Sequence, residues 1–213
     1  MLRTGRGVRF PRALAVAAMA ALGAGATPPA FQEAPLKGLG FDRGDPAAPL
    51  QVIEFGDFGC SACAQFVVQT LPAIEAEFIQ TGRVRWKFVP FVLGAFRHSK
   101  QATAAALCAG EQDTFWPAHD LLYQHQKRWS SARDPDAVLR GLALEAGVDS
   151  SRFEQCYRDR ETTKQVGQLT KLAKEFQVNA TPTFLVGARR IRGALPTELF
   201  RQVLLEAGAS AGR

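Results

Sequence analysis

Histidine and cysteine are scarce in this chain of 213 residues, which has three of the former and four of the latter. His98, His119 and His125 form no HxxxH-type pair, and Cys108 and Cys156 stand far apart, so the close pair Cys60 and Cys63 lacks the second half of a zinc site. Long apolar runs are also missing: the longest, Ala13 to Ala26, has about 14 residues where roughly 20 are needed to cross a bilayer. No fixed-period repeat or low-complexity block occurs, which excludes solenoid and fibrous architectures. With 46% hydrophobic and 22% charged residues, the composition is that of an ordinary globular chain, and one domain with an insertion fits the length.

The formal charge of +6 raises the question of nucleic acid or an anionic membrane. Four of the positive charges, Arg3, Arg6, Arg9 and Arg12, lie at the extreme N-terminus, and elsewhere no Lys/Arg face is interleaved with aromatics, which argues against nucleic-acid binding. Those arginines precede the apolar run, and the small residues "AGA" at 24–26 and "PPA" at 28–30 follow it. This order of basic, apolar and small residues predicts a secretory signal over 1–26, cut at Ala26 or Ala30. Removing four charges from +6 leaves about +2, and no cysteine follows the run to carry a lipid anchor. Export into an oxidising compartment, the periplasm or another extracytoplasmic space, makes disulfides the expected fate of thiols; four cysteines can pair in three ways.

Residues 27–37 read as a flexible segment, and the turn formers of 38–49 as a loop with a short edge strand. "LQVIEF" at 50–55 reads as a strand, and "GDFG" ends it. From Ser61 to Gln80, Phe66, Val67, Leu71, Ile74 and Phe78 recur at helical spacing, with a kink expected at Pro72. "RVRWKFVPF" at 83–91 is a second strand, and several helices follow. Thr183–Val186 and Arg189–Arg192 form a hairpin about Gly187 and Ala188, and a last helix opens at Pro196. The order predicts a single α/β layer arrangement interrupted by a helical block.

The cysteine pair therefore sits where a strand turns into a helix. A free thiol has a pKa near 8.5, and the thiolate is the nucleophile that attacks disulfides. At a helix N-terminus, unpaired N–H groups and the positive end of the helix dipole favour the thiolate of Cys60, while Cys63, one turn on, is placed to resolve a mixed disulfide. A structural bridge closing so short a loop gains little, which leaves redox chemistry as the favoured use.

"EFGDFGCSAC", "FW" at 115–116 with "HDLL" at 119–122, and "TPTFLVG" at 181–187 resemble the DsbA-like branch of the thioredoxin superfamily over roughly residues 38 to 207. The resemblance implies a thioredoxin fold, residues 38–96 and 176–213, with an inserted all-helical subdomain at 97–175. It also implies a cis peptide between Thr181 and Pro182 packed against the cysteines. Proteins of the family carry an acidic residue at the position of Glu54, which alternates to the side of Val52 and is expected under the helix, its pKa raised by burial, to exchange the Cys63 proton through a water. Lys87 on the neighbouring strand is its expected partner, and Asp57 reads as a turn residue. Several family members have a second disulfide within the insert, so a structural Cys108–Cys156 bridge is expected over two buried thiols. Phe115 and Trp116 read as insert core, and His98, His119 and His125 as surface or capping residues.

Between the cysteines stand Ser61 and Ala62, where the best-known oxidase of the family has proline and histidine; thiolate stabilisation is then left to the helix terminus and backbone. The resemblance implies a monomeric oxidase that introduces disulfides into exported, partly folded proteins and is reoxidised by a DsbB-like or VKOR-like membrane partner, with no cofactor and no metal. An isomerase or reductase on the same fold, and a copper-handling or chaperone module using CxxC as a soft copper site, are the alternatives.

Overall fold

Five strands form one mixed sheet in the computed structural model, which describes residues 38–211. The expected signal at 1–26 and the segment 27–37 lie outside the described residues. β1 (Phe41–Arg43) is the expected edge strand and runs antiparallel to β3 (Val84–Pro90). β2 (Leu50–Gly56) lies at the centre, parallel to β3 and antiparallel to β4 (Thr183–Val186), which forms a hairpin with β5 (Arg189–Arg192). The spatial order is β1-β3-β2-β4-β5. Both β2 and β3 are buried along nearly their whole length, which explains why they read as continuous apolar runs instead of alternating ones.

A parallel pair requires a crossover, and residues 61–79 supply it as one helix. α1 (Ser61–Gln65) and α2 (Leu71–Ile74) are α-helical, with π-helical turns at Phe66–Thr70 and Glu75–Ile79. Pro72 has no N–H for the carbonyl of Val68, and the widened turn before α2 absorbs the misfit within a continuous helix.

Six helices connect β3 to β4: α3 (Ser99–Gly110), α4 (Phe115–Gln124), α5 (Gln126–Ser130), α6 (Pro135–Glu145), α7 (Ser150–Arg158) and α8 (Arg160–Glu175). Three begin at an aspartate whose carboxylate accepts a hydrogen bond from an N–H of the first turn. Asp134 takes that of Ala137, Asp149 that of Arg152 and Asp159 that of Glu161. A disulfide joins Cys108 of α3 to Cys156 of α7, with the Cα atoms 5.7 Å apart.

On one face of the sheet, Val52, Trp86, Phe88 and Phe184 pack with Phe66 of the crossover helix and Phe200 of α9 (Thr197–Ala211). On the other, Ile53, Phe55, Val89 and Leu185 pack with Val166, Leu169 and Ala173 of α8. The inserted helices α3 and α4 continue the first of these cores. No helix among the described residues is long and apolar enough to cross a membrane.

Candidate active site

β2 ends in the turn Asp57–Gly59, and Cys60 caps the helix that follows, its backbone extended (φ −78°, ψ 120°). The Cys60 N–H donates to the Asp57 carbonyl at 2.9 Å, and the Asp57 carboxylate accepts from the Gly59 N–H at 2.9 Å and the Leu93 N–H at 2.7 Å, as well as from the Ser99 hydroxyl. Asp57 is thus the expected turn residue, and also a fully buried tie between this turn and the β3–α3 loop. Burial pushes its pKa up against these three hydrogen bonds. The glycines have steric reasons: a Cβ on Gly59 would collide with Phe96, and one on Gly56 with the Phe88 ring.

Cys60 is 4% exposed and Cys63 is not exposed at all, so only the first can meet another molecule. Both are free thiols. A hydrogen bond from the Cys63 thiol is the main cause that brings the Cys60 pKa down from 9.0 to about 6. Burial opposes this, and Thr181 and the backbone N–H groups of Cys63 and Ala62 add to it. Cys63 moves the opposite way, raised well above 9.0 by burial and by holding its proton toward Cys60. The stabilisation expected from helix terminus and backbone alone is therefore led by the second cysteine.

Across the site the Thr181–Pro182 peptide is cis, and the Thr181 carbonyl oxygen lies 3.2 Å from the Cys60 sulfur. Gly193 of the following loop donates its N–H to the Pro182 carbonyl at 2.8 Å. Glu54 is fully buried on β2, and the Trp86 indole N–H donates to its Oε2 at 3.1 Å, while Oε1 has no hydrogen-bonding partner among the described residues. Burial raises its pKa from 4.5 to about 8; the Trp86 bond opposes the shift and the Cys60 charge adds to it.

Two expectations need correction. Lys87 does not pair with Glu54: its ammonium binds Asp42 Oδ2 at 2.9 Å and the Leu39 carbonyl at 3.2 Å, because the register puts Lys87 opposite Ile53, on the other face of the sheet. His119 is not a surface residue but 0% exposed; it lies four residues after Phe115, on the α4 face that also carries Leu122. His98 and His125 stand at the N-cap positions of α3 and α5, both half-buried, but neither side chain makes a capping hydrogen bond.

The structure also brings in residues the sequence did not single out. The Gln126 side chain donates to the carbonyls of Phe58 (2.6 Å) and Cys60 (2.9 Å), holding the turn from α5. Tyr123 of α4 presses its ring to within 5.0 Å of Phe58. Neither has a local signal, since each acts across more than sixty residues of intervening chain. Trp86 was visible only as a strand residue, although its position two before Phe88 shares the face of Glu54.

A dithiol at the start of a crossover helix, facing a cis X-Pro bond at the head of β4, defines a thioredoxin-fold thiol protein, with the helices between β3 and β4 as an insertion into that fold. The thioredoxin family profile matches residues 39–206, and the chain belongs to that family. The "Probable disulfide bond formation protein D" of Bacillus anthracis is 30% identical over 142 residues, 65% of this chain and 65% of that one. The "Na(+)/H(+) antiporter NhaA 3" of Salinispora tropica is 33% identical over 171 residues, 79% of this chain but 25% of the antiporter. The chain thus spans less than two thirds of either relative. Alpha-DsbA1 of Wolbachia pipientis has the same fold: the TM-score is 0.72 at 20% identity, over 80% of this chain and 91% of that one.

Proposed function

We propose that this protein is an exported thiol-disulfide oxidoreductase that oxidises the thiols of partly folded proteins through Cys60 and Cys63. The observation that carries the reading is the asymmetry of the pair, an acidified sulfur at the rim of the site with a fully buried, proton-holding one behind it. In the oxidised enzyme a substrate thiolate attacks the Cys60 sulfur, the Cys60–Cys63 bond breaks, and Cys63 leaves as a thiolate. Glu54, protonated over most of the neutral range, returns a proton to Cys63 through a water. A second substrate thiolate then attacks the substrate sulfur of the mixed disulfide, a substrate disulfide forms, and Cys60 departs as the stabilised thiolate. A leaving group of low pKa leaves fast, and a stabilised reduced form makes the disulfide oxidising.

The name of the Bacillus anthracis relative, probable disulfide bond formation protein D, supports the same direction. Residues 1–26 act in this reading as the export signal, residues 97–175 as the helical insert that covers the site from one side, and the Cys108–Cys156 bridge as its brace. A DsbB-like or VKOR-like membrane partner reoxidises the pair.

Equilibration of the protein with glutathione buffers, together with its ability to oxidise a reduced, unfolded substrate, tests the reading. A reduction potential well above thioredoxin's roughly −270 mV, with substrate oxidation, is the expected result. A potential as low as thioredoxin's would instead make the protein a reductase.

A further inference from the structure

Cys63 must take up a proton when the disulfide opens and give one up when it closes, yet both Cys63 and Glu54 are 0% exposed. On the sheet face that holds them, three buried polar atoms have no hydrogen-bonding partner among the described residues: Glu54 Oε1, the Tyr123 hydroxyl and His119 Nε2. The Tyr123 oxygen lies against Gly56, where an added Cβ would come within 3.0 Å of it. Gly56 follows Glu54 by two residues on the same side of β2, about 7 Å along the strand, a gap that a water or two spans. The charges of Cys63, Glu54, Asp57 and Cys60 all bear on the Tyr123 hydroxyl.

From Tyr123 the groups continue outward. The His119 ring stands edge-on to Tyr123 at 4.9 Å between centroids, and edge-on at 4.7 Å to Phe88, the residue opposite Glu54 in the β2–β3 register. Phe58, Phe115 and Trp116 complete an apolar cage. His119 Nδ1 lies 2.8 Å from Asp120 Oδ1, and Asp120, whose side chain is 35% exposed, also pairs with Arg43 at 3.2 Å. Burial pushes the Asp120 pKa up, but His119 and Arg43 outweigh it and keep the group a carboxylate. Burial pushes the His119 pKa down and favours the neutral ring; since an ionised carboxylate only accepts, the shared proton then sits on Nδ1 and Nε2 is a bare acceptor inside the cage.

We propose that Tyr123, His119 and Asp120 form a proton relay between Glu54 and solvent, with water interposed at the unpartnered atoms. This inference rests on the disulfide exchange proposed above. When the pair closes, the Cys63 proton passes to Glu54 as Glu54 hands its own proton through water to Tyr123; Tyr123 passes its hydroxyl proton to His119 Nε2, and Nδ1 releases its proton to Asp120 and water. When the pair opens, the same steps run backwards and return a proton to Cys63. Each turnover therefore restores the imidazole tautomer without a ring flip. The tautomer that the Asp120 contact favours while both cysteines are reduced is the one ready to export a proton, which is the next event for a dithiol.

Tyr123→Phe, which keeps the ring, and Asp120→Asn, at the partly exposed rim, test the relay in the full-length chain. Oxidised glutathione is the probe: the Cys60 thiolate attacks it, one glutathione leaves, and the Cys63 sulfur then loses its proton and displaces the second glutathione from Cys60. Rapid-quench trapping measures this closing step against pH and in heavy water, and thermal melts check the fold. Both variants are expected to accumulate the Cys60–glutathione disulfide and to close about a hundredfold more slowly. The parent's solvent isotope effect changes in both, and added imidazole restores part of the rate. Closing within twofold of the parent in either folded variant overturns the relay, as does slowing without a change in isotope effect or rescue. Where Tyr123→Phe does not fold, Asp120→Asn decides alone by the same criteria. If the parent itself does not form the Cys60–Cys63 disulfide, the proposed function fails, an outcome distinct from loss of the relay.

Discussion

Glu54 and Lys87 sit on neighbouring strands of one sheet and point to opposite faces, since the parallel register pairs Glu54 with Phe88 and Ile53 with Lys87. Among the described residues the carboxyl under the cysteines therefore has no cation beside it, only the Trp86 indole and burial. A buried acid without a counter-ion stays protonated into the neutral range, which suits a group that must hand a proton to a thiolate.

Glu54→Gln is expected to stabilise the protein. The folded pKa of about 8 lies above the ordinary 4.5, so folding with the acid gains most below pH 4.5 and loses that gain as the pH rises toward 8. A neutral amide that keeps the Trp86 bond removes this loss and raises stability by about 1–3 kcal/mol at pH 7. Urea titration at pH 5 and pH 7.5 measures the difference, which should grow with pH; the rate of disulfide closing should fall.

Lys87→Met should change the Cys60 titration by nothing measurable. The Asp42 partner is 51% exposed, so removing the lysine strands no buried charge, and stability should move by about 1 kcal/mol or less. A Cys60 midpoint displaced by a full pH unit would contradict the face assignment.

For Cys60 itself, thiolate absorbance should titrate with a midpoint of about 6. Replacing Cys63 with alanine removes the main cause and should raise that midpoint, while the variant traps mixed disulfides. Because the folded value is depressed, the thiolate's contribution to the stability of the reduced protein is complete above pH 9.0 and is lost as the pH falls through about 6.

The double variant Cys108→Ala/Cys156→Ala should cost about 4 kcal/mol by the chain-entropy rule for a loop this long, the bridged residues being 48 apart. Guanidinium unfolding of the oxidised parent and the variant measures it. The Cys60 midpoint should stay in place, since the bridge joins α3 and α7 rather than the redox helix.

What the amino-acid order determined was what depends on short range. The strand-turn-helix around Cys60 and Cys63, the hairpin after Pro182 and the last helix after Pro196 all follow from periodicity and turn chemistry within a few residues. A motif resemblance added the fold and the place of Thr181, because Cys60 and Thr181 are 121 residues apart and no local rule joins them. The tertiary structure alone decided the rest. Register sent Lys87 away from Glu54, and the packing of α4 and α5 on the turn buried His119 and Tyr123 and aimed Gln126 at the backbone of Cys60. A side chain's face follows from a two-residue period once the pairing is known, but the pairing itself is set by contacts between segments distant in sequence.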